Sequence, residues 1–347
     1  MNTAFFKYEN FYIKSGILLF LLYLLVSCAK EPDYYNDAVV ESNEGRYQNA
    51  IELFTKALAQ DKKDTASYKS RGNVKFIMKD YEGALLDYIE VLKLDSFNYE
   101  IYSLIGDVKM EQKLFTEAIE FYTTCTNIKP DQPSVYFNCA LAKNIIGNKF
   151  GSVFDYDRAI AYNPKYTKAF FNMALIKQEM GDFRGAMEDY DIVVALDPKF
   201  VEAYYNRGVL VTELYNDTLA LKDFNAVIQL DPKKIKAYQT RANIYYIQKQ
   251  FELALNDYTF ALQIDTLDKL SYYGRAVTRL MLEDYSGALA DFDMAAKLDA
   301  SNANVHFYKA YARQKNGDLE GSLEDYQIAA QLGKMVAFDT ITKYTGK

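Results

Sequence analysis

The chain of 347 residues has no tryptophan, one histidine and three cysteines. With His306 alone, a zinc site or a serine-histidine centre has little to draw on, and there is no His-x-x-x-His pair, glycine-rich phosphate loop or nucleophile elbow. Past Cys28 only Cys125 and Cys139 remain, too few for a disulfide framework, so the chain must bury a core instead. Its net charge is −7, which argues against a nucleic-acid partner. The pairs Asp155 and Asp157, Asp189 and Asp191, and Asp291 and Asp293 do not suggest a metal, because residues two apart on a helix point to different faces. No catalytic, metal or cofactor-binding residue is assigned, and no cofactor is expected.

What is present begins with an apolar run, Ile17 to Val26, only half as long as the roughly 20 residues a membrane-spanning helix needs. Lys7 and Lys14 precede it and small residues follow, the anatomy of a secretory signal. Leu25-Val26-Ser27-Cys28 resembles the lipobox of bacterial lipoproteins. The resemblance implies that residues 1–27 are removed, that Cys28 is lipidated, and that residues 28–30 tether the protein to a lipid bilayer. Each buried acyl CH₂ contributes about 0.8 kcal/mol to such an anchor. Ala29 stands where retained inner-membrane lipoproteins usually carry Asp, so the expected location is the outer membrane of a bacterial envelope. An ordinary signal peptide with a chance cysteine, or an uncleaved short anchor, are the alternatives.

The rest of the chain is repetitive. "SYKSRGNVKFIMKDYEGALLDY", "AYYNRGVLVTELYNDTLALKDF" and "AYQTRANIYYIQKQFELALNDY" align on a period of 34. Nine blocks, starting at 31, 65, 99, 133, 167, 201, 235, 269 and 303, run to residue 336 without an insertion. Position 8 is always Gly or Ala, position 20 Ala or Ser, and position 24 Phe or Tyr; position 4 is aromatic until His306 takes it in the ninth block. Pro130, Pro164, Pro198 and Pro232 fall at position 32, and Pro32 and Pro133 at helix starts, where a missing N–H is harmless. Period and positions resemble the tetratricopeptide repeat family over residues 31–336. The resemblance implies an all-α, right-handed solenoid of nine stacked helix pairs, A and B, each pair unable to bury its apolar stripe alone. Gly45, Gly147, Gly181 and Gly317 mark a tight A-to-B turn near position 15, while Phe150 and Asp217 depart from the pattern just after it. Residues 337–347 are expected to cap the last repeat, with Met335, Phe338, Ile341 and Tyr344 on the covering face.

Within this frame, Arg71, Arg207, Arg241 and Arg275 all sit at position 7, and their blocks carry Asp87, Asp223, Asp257 and Asp291 at position 23, the expected ion pairs between helices A and B. His306 is expected to replace a core aromatic. Cys125 and Cys139 should face each other as buried thiols; packed helix axes lie about 8–10 Å apart, which makes a disulfide marginal. In the family, helix-A positions 2, 5, 6, 9, 12 and 13 line a concave groove. Position 6 is Asn138, Asn172 and Asn206 in three consecutive blocks, beside Phe137, Phe171 and Tyr205 at position 5. An amide can donate to and accept from one peptide unit of an extended partner; an inherited consensus is the alternative. Lys69 and Asn73 open the family's clamp for acidic chaperone tails, but Leu104, Ser134 and Asn138 interrupt it. The expected function is a non-enzymatic, membrane-anchored scaffold whose groove binds an envelope protein or peptide segment. The alternatives are a structural subunit of an outer-membrane assembly or secretion machine, and a glycan-binding envelope protein.

Overall fold

The computed structural model describes residues 33–214 and 216–345, with side chains as far as 342. Cys28, the lipobox and the tether lie outside the described residues. Every regular element among the described residues is an α-helix, and none is long and apolar enough to cross a membrane.

The helices form two compact units, one ending at Tyr162 and the other beginning at Asn163. The first holds α1 (Tyr34–Asn43), α2 (Tyr47–Gln60), α3 (Thr65–Ile77), α4 (Tyr81–Leu94), α5 (Tyr99–Glu111), α6 (Phe115–Ile128), α7 (Pro133–Ile145) and α8 (Lys149–Tyr162). The second holds α9 (Thr167–Glu179), α10 (Phe183–Leu196), α11 (Val201–Glu213), α12 (Asp217–Leu230), α13 (Ile235–Ile247), α14 (Phe251–Ile264), α15 (Lys269–Met281), α16 (Tyr285–Leu298), α17 (Ala303–Lys315), α18 (Leu319–Gln331) and α19 (Met335–Thr345). From α3 to α17 each A helix starts at the first position of a block, and every B helix starts at the seventeenth. Within each unit successive helices pack on one another, so each unit is an all-α solenoid of stacked pairs.

Local chemistry sets these boundaries. Position 16 carries Asp80, Asn148, Asp182, Asn216, Asp284 and Asp318, and each side chain accepts the backbone N–H three residues on, at 2.9 to 3.3 Å, capping its B helix. In eight of the repeats the turn before the B helix passes through left-handed backbone at position 15. Glycine occupies it at Gly45, Gly147, Gly181 and Gly317, but Lys79, Lys113, Lys249 and Glu283 adopt the same conformation with φ of 59 to 63°. Side-chain-bearing residues resist that region by about 1–2 kcal/mol.

The small residues at position 8 follow from the aromatic ring at position 24. A Cβ on Gly72 would lie 2.6 Å from the Tyr88 ring, and one on Gly106 2.5 Å from that of Tyr122. Those rings are fully buried, each burial contributing about 1.5–3 kcal/mol. Ser152 at position 20 donates its hydroxyl to the Ala140 carbonyl at 2.7 Å, so the polar substitute stays satisfied. His306 is buried, and its Nε2 lies 3.2 Å from the Ala300 carbonyl, six residues back. Tyr102 and Tyr238, at the same repeat position, donate their hydroxyls to the carbonyls of Ser96 and Pro232, also six back. The imidazole thus takes the phenol's place in the core and its bond to the preceding turn.

The C-terminal helix corrects the expected covering face. α19 starts at Met335, after Gly333 at φ 92°, and it turns Ala337 and Ile341 inward while Met335 and Phe338 stay exposed. Residues three apart drift by about 60° per step around a 3.6-residue helix, so a run from 335 to 344 in threes cannot hold one face. The Tyr344 side chain lies outside the described ones.

Candidate binding groove

The A helices are held in place by charge. Arg71 grips Asp87 through two nitrogens at 2.6 and 3.0 Å, Arg207 grips Asp223 at 2.6 and 2.9 Å, Arg241 grips Asp257 at 2.6 and 2.8 Å, and Arg275 grips Asp291 at 2.7 and 2.8 Å. The remaining Nη1 of each reaches the B helix of the preceding repeat, at Thr55, Asp191, Asn225 and Thr259 in turn. One planar guanidinium therefore ties three helices, which the point charge of lysine could not do with the same geometry. Position 11 supplies a second source of cation for the same acid: Lys143 meets Asp155 at 2.6 Å and Lys177 meets Asp189 at 2.7 Å where position 7 lacks Arg, and Lys75 and Arg279 join Asp87 and Asp291, each at 2.8 Å, beside the arginines. That second partner recurs in the sequence as Lys75, Lys143, Lys177, Arg279 and Arg313, a signal not used above.

In the first unit, the groove candidates are tied to the scaffold. Lys69 bonds Glu100 at 2.9 Å, and Asn73 accepts the Tyr88 hydroxyl at 2.8 Å. Both line a recess of about 300 Å³ that Ser103, Leu104 and Ser134 also border. Asn138 donates to the Asp107 carboxylate at 3.1 Å, and the same oxygen accepts the Tyr122 hydroxyl at 2.7 Å. Burial pushes the Asp107 carboxyl upward despite these two donors. Phe137 is half-buried, its ring 5.5 Å from that of Tyr156. Cys125 and Cys139 are buried free thiols in one apolar cluster with Ala118, Tyr122 and Val135. Burial pushes them up to about 11 and about 12, far from the thiolate form a reactive cysteine needs.

In the second unit, Phe171 lies tilted against Phe200 at 4.8 Å and Tyr190 at 6.1 Å, and Tyr205 meets Phe224 at 5.9 Å. Each position-5 ring thus rests on the position-24 ring of its own repeat. Asn172 and Asn206 are half-buried beside them. Tyr205 also walls a recess of about 570 Å³. The α13 side of that recess is Lys236, Gln239, Thr240, Asn243 and Tyr246, positions 2, 5, 6, 9 and 12; the α15 side is Leu270, Tyr273, Gly274 and Val277, positions 2, 5, 6 and 9. The Tyr258 hydroxyl donates to the Asn243 carbonyl oxygen at 2.5 Å, and the Gln239 amide nitrogen donates to Asp268 at 2.7 Å and Ser271 at 3.0 Å. The Asn243 amide hydrogens and the Gln239 carbonyl oxygen therefore remain for a ligand, one donor group and one acceptor. Burial pushes the Tyr273 phenol up to about 12 and raises Tyr246 too, so both rings stay neutral. Among the described residues no group of three metal-ligating side chains is assembled.

Residues 99–132 and 171–235 match the family models of the tetratricopeptide repeat. Among curated proteins, tetratricopeptide repeat protein 16 of Mus musculus is 25% identical over 142 residues, 39% of this chain and 18% of that protein. The Hsp70/Hsp90 co-chaperone cns1 of Schizosaccharomyces pombe is 32% identical over 104 residues, 29% of this chain and 28% of that one. The chain thus spans under a third of the length of these relatives. Among solved structures, the C-terminal part of a TPR repeat-containing protein from Cytophaga hutchinsonii superposes with a TM-score of 0.59, covering 67% of this chain and 97% of that one at 18% identity. A tetratricopeptide repeat protein from Parabacteroides merdae does so with a TM-score of 0.50, covering 70% and 97% at 20% identity. These likenesses establish the all-α solenoid.

Proposed function

We propose that residues 31–336 form a non-enzymatic tetratricopeptide-repeat scaffold that binds an extended segment of a partner protein along the faces of its A helices. The observation that carries this reading is the recess of about 570 Å³ whose walls fall on the groove positions of two successive A helices, with an unspent donor and acceptor among aromatic rings. Such a surface offers main-chain hydrogen bonds and side-chain area together. A co-chaperone among the relatives agrees with a protein partner, although Lys69 and Asn73 are engaged internally and the chaperone-tail clamp is interrupted here. The test is partner recovery by the full chain carrying Tyr205→Ala, Asn172→Ala and Asn206→Ala together. Loss of the partner with unchanged melting supports the groove; full retention refutes it.

Attachment to a bacterial envelope through lipidated Cys28 belongs to the same proposal and rests on the lipobox resemblance. Cys28→Ser should abolish incorporation of labelled palmitate and release the protein from the membrane fraction. A variant that kept both would refute the anchor. A second reading, a subunit packed into an outer-membrane assembly by its outer surface, draws on Phe150 and Phe154, which are 80% and 56% exposed on α8. Retained partner binding by the groove variant, with loss on Phe150→Ser and Phe154→Ser, would favour it. Glycan binding would show instead as affinity of the chain for envelope polysaccharide that Tyr246→Ala removes.

A further inference from the structure

The recess of the second unit owes its depth to a missing side chain. Position 6 of a block is Asn, Ser, Leu, Thr or Tyr everywhere except at Gly274. A Cβ there would lie 2.4 Å from the Tyr258 ring, so the ring and the bare backbone are in contact and form the floor. Above that floor the walls are Tyr246, Tyr273 and Leu270, and Leu270 is 58% exposed. Apolar area of this kind, closed below and open above, suits one bulky side chain rather than a run of small ones.

The side chains that line the recess carry charge of one sign. Its lining contains Lys236 and no carboxylate. Lys233, Lys234 and Lys236 crowd the start of α13, and Lys234 lies over the Tyr205 ring at 5.8 Å. Asp268 reaches the rim through its bond to Gln239 and is also fixed by the Ser271 backbone N–H. The setting is unusual for a chain of net charge −7, in which the groove lysine of the first unit, Lys69, is paired with Glu100. A local cationic rim on an acidic protein selects an acidic ligand and holds off basic ones.

We infer that this recess is a specificity pocket for an extended peptide carrying one large apolar side chain, Phe or Leu, next to Asp or Glu. The side chain seats over Gly274 between Tyr246, Tyr273 and Leu270, the carboxylate meets Lys236, and the peptide backbone bonds Asn243 and Gln239. The inference rests on the groove reading above and deepens it by naming the ligand's chemistry.

The test is selection of random dodecapeptides displayed on phage against the full chain, followed by anisotropy titration of the recovered peptides. Recovered peptides should pair a Phe or Leu with an adjacent acid, lose at least tenfold in affinity on Lys236→Glu or Leu270→Ser, and weaken as salt rises. Both substituted side chains are exposed, so the variants should melt as the parent does. Recovered peptides that are basic, lack a bulky apolar residue, or bind both variants unchanged would overturn the pocket. If such peptides still lost affinity on Tyr205→Ala, the groove would remain a peptide site with a different preference. Failure to recover any peptide would count against both.

Discussion

At the scale of single residues, the scaffold depends on buried charge that is fully partnered. Arg207 is only 7% exposed and holds Asp223, which is wholly buried, together with Asp191. Removing the cation leaves a buried carboxylate alone, which costs about 3–5 kcal/mol. Chemical denaturation should therefore show Arg207→Ala losing that amount, while Arg184→Ala, which breaks a solvent-exposed pair with Glu188, changes stability by no more than about 1 kcal/mol. Asp107 provides a pH-dependent counterpart. Its carboxyl is raised by burial, so its contribution is fully present below the unfolded value and fades as pH rises through the folded one. Asn73 and Asn243 take the tyrosine hydroxyl at the equivalent position of their own repeats. Asp107→Asn should consequently keep the bond to Tyr122 and become more stable than the parent as pH is raised from about 4 to 7. Melting curves across that range check it, and a variant that falls behind the parent at pH 7 contradicts it. The tie between Asp107 and Asn138 was not legible from one block alone, because it joins the A helices of neighbouring repeats. The basic partners at position 11 were legible only by comparing blocks.

At the scale of the helix, most of the architecture was legible, because a 34-residue period with fixed small and aromatic positions leaves few ways to stack helices. The turn at position 15 was half legible. Its glycines announced left-handed backbone, but Lys79, Lys113, Lys249 and Glu283 adopt it without any sequence signal of their own. Tertiary packing on both sides of the turn overrides local preference there. Lys113→Gly should therefore stabilise the fold by about 0.5–1 kcal/mol, the relief of strain less the added entropy of the unfolded chain. Gly147→Ala should cost about 1 kcal/mol or more. Urea midpoints of the two variants should move in opposite directions. The covering face of α19 was misread for a different reason: spacing by three resembles a helical face over two residues and drifts off it over four.

At the scale of the whole protein, function resides in the surface left after the core is satisfied. The candidate residues divide on that criterion. Lys69, Asn73 and Asn138 bond within the protein, Phe137 and Phe171 share their rings with the core, and Tyr205 opens onto a recess with cationic and aromatic walls. The sequence offered the groove positions through a family resemblance, whereas the close approach at Gly274 emerged only from the ring packed against it. The central claim is that partners bind along the A-helix face of the second unit. The most direct measurement is a photo-cross-linking scan in the native cell, with a photoreactive residue placed singly at Lys236, Asn243 and Leu270 in the groove and at Arg184 and Leu253 on B helices. The account predicts one common cross-linked partner from the three groove positions and none from the other two. A partner captured from Arg184 or Leu253 while all three groove positions stay silent would contradict it.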